Sequence, residues 1–117
     1  MMFTDSSYQS RLAKDPAVVR YGQYYFMYYS NYRLSADGKE TWGIGIACSR
    51  DLENWEKLQD LEPEGELECG GICAPGAIVL DGKIHLFYQT YGCFEQDSIC
   101  HAWSGDGIHF TRNETNP

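Results

Sequence analysis

Two stretches decide the fold: Lys14-Asp15-Pro16-Ala17-Val18-Val19 and, later, Ala74-Pro75-Gly76-Ala77-Ile78-Val79. Each sets a proline at the mouth of a strand-forming run. Proline has no N–H to give to a ladder, so it belongs at a strand's first position or on an edge. Each run ends in a glycine turn, Tyr21-Gly22-Gln23 or Asp81-Gly82. Glycine supplies the positive φ that tight hairpins require. Each turn leads into a second strand, Tyr24–Ser30 or Lys83–Thr90, the first apolar or aromatic on both faces and so read as covered on both sides.

Outward from these hairpins the order continues in parallel. Asn31–Thr41 reads as a polar loop turning at Ala36-Asp37-Gly38-Lys39. Trp42–Cys48 reads as a third strand, with Gly43, Gly45 and Ala47 on one face predicting close approach by a neighbouring layer. Ser49–Asn54 is a turn, Trp55–Leu58 opens a fourth strand, and Gln59–Gly71 is an acidic connection. The second round gives strands at Ala77–Leu80, Lys83–Thr90 and Ile99–Trp103, a turn at Ser104–His109, and a fourth strand from Phe110.

The two rounds can be superposed. Gly22 and Gly82 lie 60 residues apart, as do Ala17 and Ala77, and Tyr28 and Tyr88. Ser49 and Ser104 lie 55 apart, as do Asp51 and Asp106, and Trp55 and Phe110. A four-strand unit repeating at this spacing predicts an all-β fold of two four-stranded antiparallel blades of a β-propeller. Two unrelated meanders of one sandwich are the competing architecture, since turn chemistry recurs widely; the shared offsets favour the repeat. No helix is predicted, because no apolar stripe of 3.6-residue period runs between the glycines. The expected organisation is a lead-in at 1–13, a first blade at 14–60, a connecting loop at 61–76 and a second blade at 77–117, forming one domain.

Composition bounds the function. The 117 residues are 43% apolar and 22% charged, as in a globular chain. A net charge of −8 with only nine Lys and Arg leaves no basic stripe, which argues against nucleic acid and anionic membrane as partners. No apolar run approaches the ~20 residues of a membrane helix, and the start lacks the basic and apolar regions of a signal peptide. Five cysteines, an odd number, suit a disulfide framework poorly. They read as reduced thiols, which points to the cytoplasm. Cys69 and Cys73 have no second ligand pair at zinc-like spacing, so no metal site is expected.

Asp15 is the first candidate for chemistry. Pro16 is expected to push it into extended geometry, holding a carboxylate at the mouth of the innermost strand. Such a group can act as general base on a water or as nucleophile at a sugar carbon; a solvated aspartate opening a strand is the plain alternative. The run Glu62, Glu64, Glu66 and Glu68 reads as a solvated loop, with Glu68 close enough to Gly70-Gly71 to reach a site. His85 and His101 read as core or surface histidines of strands, and His109 as part of a turn. Asp51 and Asp106 read as braces of their turns. Asn113-Glu114-Thr115 fits a glycosylation acceptor pattern that chance produces often.

Lys14–Val19 followed by Gly22–Ser30 resembles the first blade of the five-bladed propeller glycosidases, glycoside hydrolase family 43 and relatives such as families 32, 117 and 130. Ala47–Trp55 resembles the outer turn of that blade, Ala74–Ala77 with Gly82–Tyr88 the start of the second, and Ser104–Phe110 its end. The resemblance covers residues 14–117. It implies hydrolysis of O-glycosidic bonds, with Asp15 as general base or nucleophile, in a neutral oligosaccharide that suits the charge balance. It implies that the loop entering the second blade lines the sugar pocket, through Cys73, Ala74, Pro75 and Gly76. Tyr91 can stack on a sugar or pack in the core. No organic cofactor is implied, and a structural divalent cation in the axial channel is left open. The general acid of these families lies on later blades, for which no matching positions exist here. Two blades leave open faces, so a piece of a longer enzyme or self-association between copies is expected. A glycoside phosphorylase and a non-catalytic module binding glycans or proteins are the alternatives.

Overall fold

The computed structural model describes residues 3–9, 11–34, 38–92 and 94–117. Ala36 and Asp37 of the expected turn, and Cys93, lie outside the described residues. Eight strands form: β1 (Lys14–Tyr21), β2 (Tyr24–Leu34), β3 (Glu40–Ser49), β4 (Glu56–Leu61), β5 (Ile72–Leu80), β6 (Lys83–Thr90), β7 (Ile99–Ser104) and β8 (Thr111–Arg112). They pair antiparallel in two four-stranded sheets, β1-β2-β3-β4 and β5-β6-β7-β8, with β1 lying against β5. The fold is thus all-β, two blades of a propeller. Among the described residues no helix forms that is long and apolar enough to cross a membrane.

Both hairpins close over two residues, but differently. Asp81 and Gly82 both have positive φ, 51° and 73°, whereas in the first turn Gly22 has φ 62° and Gln23 does not share it. The pairs Tyr21↔Tyr24 and Leu80↔Lys83 are therefore equivalent, a step of 59 residues and not the 60 suggested by the glycines. A one-residue step exchanges the two faces of a strand. Accordingly the first sheet contributes Phe26, Tyr28, Ile44 and Ile46 to the core. The second contributes Ile84, Leu86, Tyr88, Cys100 and Ala102, which stand at positions of the opposite face. A single core between two repeated sheets needs this inversion, since the face of one must meet the reverse face of the next. Burying each large side chain is worth about 1.5–3 kcal/mol. The Tyr28 hydroxyl donates to the Gly107 carbonyl at 2.7 Å, pinning the second sheet's outer turn to the first.

Asn31–Leu34 departs from the expected loop and extends β2. The side chains of Asn31 and Arg33 are taken up by the lead-in, by β4 and by the connection after it. Asp5, 1% exposed, accepts from Tyr29 Oη at 2.8 Å, Asn31 Nδ2 at 3.4 Å and Lys57 Nζ at 2.7 Å. Asp60 accepts from Lys57 at 2.7 Å, from Arg33 at 3.1 Å and from the Tyr8 hydroxyl. Arg33 closes on Glu62 with two bonds of 3.0 and 2.9 Å. The outer face of the first sheet is thereby covered over its Tyr29–Arg33 half.

The small residues of β3 make room for side chains of their own sheet, not for another layer. Gly45 pairs with Tyr29, whose ring lies where a Cβ would be, 2.4–2.5 Å away; Gly43 pairs with Asn31 and underlies it and Arg33. The two outer turns match in detail. Asp51 Oδ1 accepts from the N–H groups of Glu53 and Asn54, and Asp106 Oδ1 from those of Ile108 and His109. Ser49 and Ser104 each donate to the aspartate two residues on. The expectation of reduced thiols is met at Cys48, Cys73 and Cys100 and corrected at Cys69, which is disulfide-bonded.

Candidate active site

The two proline stretches form matching bulges. Register runs from Lys14↔Ser30 to Ala17↔Tyr28, so that Asp15 and Pro16 together oppose Tyr29; in the second sheet Ala74 and Pro75 oppose Tyr88 between Cys73↔Gln89 and Gly76↔Phe87. Asp15 is not extended. Its φ is 54°, and that of Ala74 is 52°. Proline disfavours the right-handed helical region for the residue before it. The bulge turns the strand there, and the chain takes the left-handed region. Aspartate tolerates this region better than alanine.

The turn aims Asp15 at the join between the sheets. Ser30, fully buried on β2, donates its hydroxyl to Asp15 Oδ2 at 3.0 Å and accepts the Ala74 N–H at 2.7 Å. The Asp15 side chain is 44% exposed, so it is anchored on one oxygen and open on the other side. Lys14 Nζ lies 3.9 Å from Oδ2, a half-exposed pair of little energetic weight.

Beside this carboxylate lies an aromatic cluster. Lys14 Nζ sits 4.8 Å from the centre of the Trp42 ring, Tyr32 packs 4.8 Å from Trp42, and Tyr91 meets it edge-on at 6.4 Å. The end of the inter-sheet connection is tied to the same place. Gly71 bridges Trp42, the Thr41 hydroxyl donates to the Gly70 carbonyl at 2.9 Å, and the Tyr91 N–H donates to the Gly71 carbonyl at 3.1 Å. Gly71 has φ 127° and a Cβ on it would meet the Trp42 carbonyl at 2.7 Å, so only glycine fits.

Of the residues named from sequence, Asp15, Cys73, Ala74 and Tyr91 converge here. Cys73 is half-buried; burial pushes its thiol up, and the charges of Asp15 and then Asp97 add to this. Asp97 comes from the segment before β7 and accepts from the Gly92 N–H at 3.1 Å. Pro75 is buried and offers no surface to a ligand, and Gly76 stands in the ladder opposite Phe87. Ser30, Trp42, Tyr32 and Asp97 were not singled out from sequence. Trp42 carried a signal, as the lone aromatic of its strand; Ser30 carried none.

Other acids are engaged elsewhere. Glu68 is neither solvated nor at the site: it is 2% exposed, accepting from Tyr88 at 2.6 Å and from Arg112 at 2.9 Å. Asp51 and Asp106 are held well below the usual carboxylate range. Hydrogen bonds from Asn54, Glu53 and Ser49 do this for Asp51; for Asp106, His109, Ile108 and Ser104 overcome the opposing effect of burial. His85 and His101 stack on the outer face of the second sheet, bonded ring to ring at 2.9 Å. Two clefts, of about 460 Å³ by Tyr24, Arg50 and Trp55 and about 480 Å³ by Tyr8, Arg33 and Glu40, do not border Asp15. Among the described residues no group of three or more His, Cys, Asp and Glu is placed to hold a metal ion.

An Escherichia coli (strain K12) protein provisionally named a beta-xylosidase is 32% identical over 81 residues, which is 63% of this chain and 14% of that protein. The structure of fructan 1-exohydrolase IIa from Cichorium intybus superposes with a TM-score of 0.77 at 21% identity, over 90% of this chain and 21% of that one. The GH32 beta-fructofuranosidase BmSUC1 of Bombyx mori superposes with a TM-score of 0.71 at 24% identity, over 90% of this chain and 23% of that one. The chain therefore spans only a minor part of the length of each, and the structural likeness establishes the fold. The model of the glycosyl hydrolases family 32 N-terminal domain matches residues 8–117, nearly the whole chain, and the chain belongs to that family.

Proposed function

We propose that this chain supplies the first two blades of a glycoside hydrolase that cleaves O-glycosidic bonds in a neutral oligosaccharide, with Asp15 as general base or nucleophile. One observation carries the reading: a half-open carboxylate, anchored through Oδ2 at the junction of β1 and β5, stands beside the Trp42–Tyr91 cluster. Aromatic faces of this kind suit the apolar faces of a sugar ring. Hydrolysis requires a second group to protonate the leaving oxygen. Glu68, Asp60, Asp51 and Asp106 are bound up in structural contacts, and the resemblance to the propeller glycosidases implies that the acid is carried by a part of the enzyme beyond these two sheets.

The test is turnover of a panel of neutral oligosaccharides by the enzyme carrying this chain, with Asp15→Asn beside the parent. Loss of turnover with unchanged folding supports the reading. Retained turnover in Asp15→Asn removes the catalytic role, and binding without turnover by the parent indicates a binding module.

We further infer that the outer face of the second sheet is covered in use, and that in the chain taken alone another copy covers it. Ile78, Phe87 and Ile99 lie 52%, 44% and 62% exposed on this face, beside His85, His101 and Trp103. The first sheet's outer face carries the lead-in, so a pairing of like faces about a two-fold axis fits better than a ring.

A further inference from the structure

We propose that Ser30 is a positioning residue for the Asp15 carboxylate, coupling it to the backbone of the neighbouring sheet. This rests on the proposed role of Asp15. The direction of each bond follows from the groups involved. A backbone N–H only donates, so Ser30 Oγ accepts from Ala74 at 2.7 Å. The hydroxyl has one proton, and it is left for Asp15 Oδ2 at 3.0 Å, which as a carboxylate only accepts. Ser30 is fully buried, so its hydroxyl faces no partner other than these two among the described residues.

The arrangement depends on both bulges. Asp15 and Ala74 hold left-handed backbones, φ 54° and 52°, at equivalent positions of the two sheets. Such conformations are strained and persist where their surroundings enforce them. Here one turns a carboxylate toward β2 and the other turns an N–H toward the same hydroxyl. Ser30 is where they meet. Oδ1 has no hydrogen-bond partner among the described residues and is left for water or the sugar carbon. Lys14, the other neighbour of Oδ2, is half-exposed and leans on Trp42, so it gives little orientation.

The relay makes the aim of Asp15 sensitive to how the two sheets sit together. Misplacing a reacting group by ~1 Å costs on the order of 10²-fold in rate. Three variants, Ser30→Ala, Ser30→Thr and Asp15→Asn, are compared in the enzyme carrying this chain, on the oligosaccharide that it cleaves. In the chain itself, hydrogen exchange of the Ala74 amide is followed. Ser30→Ala is expected to lower kcat by about 10–100-fold with KM within about threefold, and to release the Ala74 amide to exchange while β2 amides stay protected. Ser30→Thr, which keeps the hydroxyl, is expected to restore both. An unchanged kcat in Ser30→Ala while Asp15→Asn is inactive overturns the proposal for Ser30 alone. So does a kcat loss that Ser30→Thr fails to restore while the Ala74 amide is again protected. An active Asp15→Asn overturns the catalytic reading and this proposal together.

Discussion

The Glu68 carboxylate accepts from the Arg112 guanidinium at 2.9 Å, and the two side chains, 3% and 14% exposed, form a largely buried pair. The contact joins the connection between the sheets to the last strand. Tyr88 and the Glu64 N–H complete the shell around the carboxylate at 2.6 and 3.0 Å. Removing one partner of a buried pair strands the other charge and costs about 3–5 kcal/mol. Glu68→Ala is therefore expected to lose about 3 kcal/mol in urea unfolding. Glu68→Leu with Arg112→Met should recover most of it.

Asp5 gives a pH dependence of known sign. Burial opposes its charge, but bonds from Lys57, Ser7 and Tyr29 prevail and hold its pKa at about 2, against an ordinary 3.8. A depressed carboxylate stabilises the fold above its unfolded value, and the contribution is lost as pH falls through the folded one. The chain should thus lose about 2 kcal/mol between pH 5 and pH 2 through this group. Asp5→Asn should flatten that part of the stability profile, measured by denaturant unfolding across pH.

Gly45 has no space for a methyl group, because the Tyr29 ring stands 2.4–2.5 Å from where the Cβ would be. Tyr29 is itself fixed by Asp5 and fully buried. Overpacking of this kind costs about 1–3 kcal/mol. Gly45→Ala should fall at the upper end, seen as a lower urea midpoint at unchanged m-value. Combining it with Tyr29→Leu should cost less than the two changes summed.

The outer face of the second sheet predicts concentration-dependent association. Phe87, 44% exposed at its centre, packs on the His101 ring at 4.9 Å between centres. Phe87→Asp should shift the chain to monomer in sedimentation or light scattering, with its hydrogen-exchange core intact. A parent chain that is monomeric at ~100 μM, far above the Kd of a specific interface of standard size, would count against the pairing.

Much of the fold was legible because its signals are local. Glycine turns, Asp-braced turns and strand-opening prolines are chemistry of three to six neighbouring residues, and β6 begins and ends at the residues read from sequence. Asn31–Leu34 was misread because those polar residues are satisfied by Asp5, Asp60 and Glu62, far away in the chain. Glu68 was misread for the same reason, its partner Arg112 being 44 residues distant. Asp15 stood out as a candidate through the resemblance of its stretch to the propeller glycosidases, not through its proline alone, and its left-handed backbone arises from the bulge, which depends on β2. Ser30 was invisible: a serine in an aromatic strand reveals nothing until Ala74 is brought beside it.

The 59-residue step has a last consequence. Because the core face of the first unit meets the reverse face of the second, each unit carries a stud on one flank and a socket on the other. An array of such units has a head and a tail. The lead-in covers half of the head with a charged clasp, whereas the tail carries half-exposed aromatic rings.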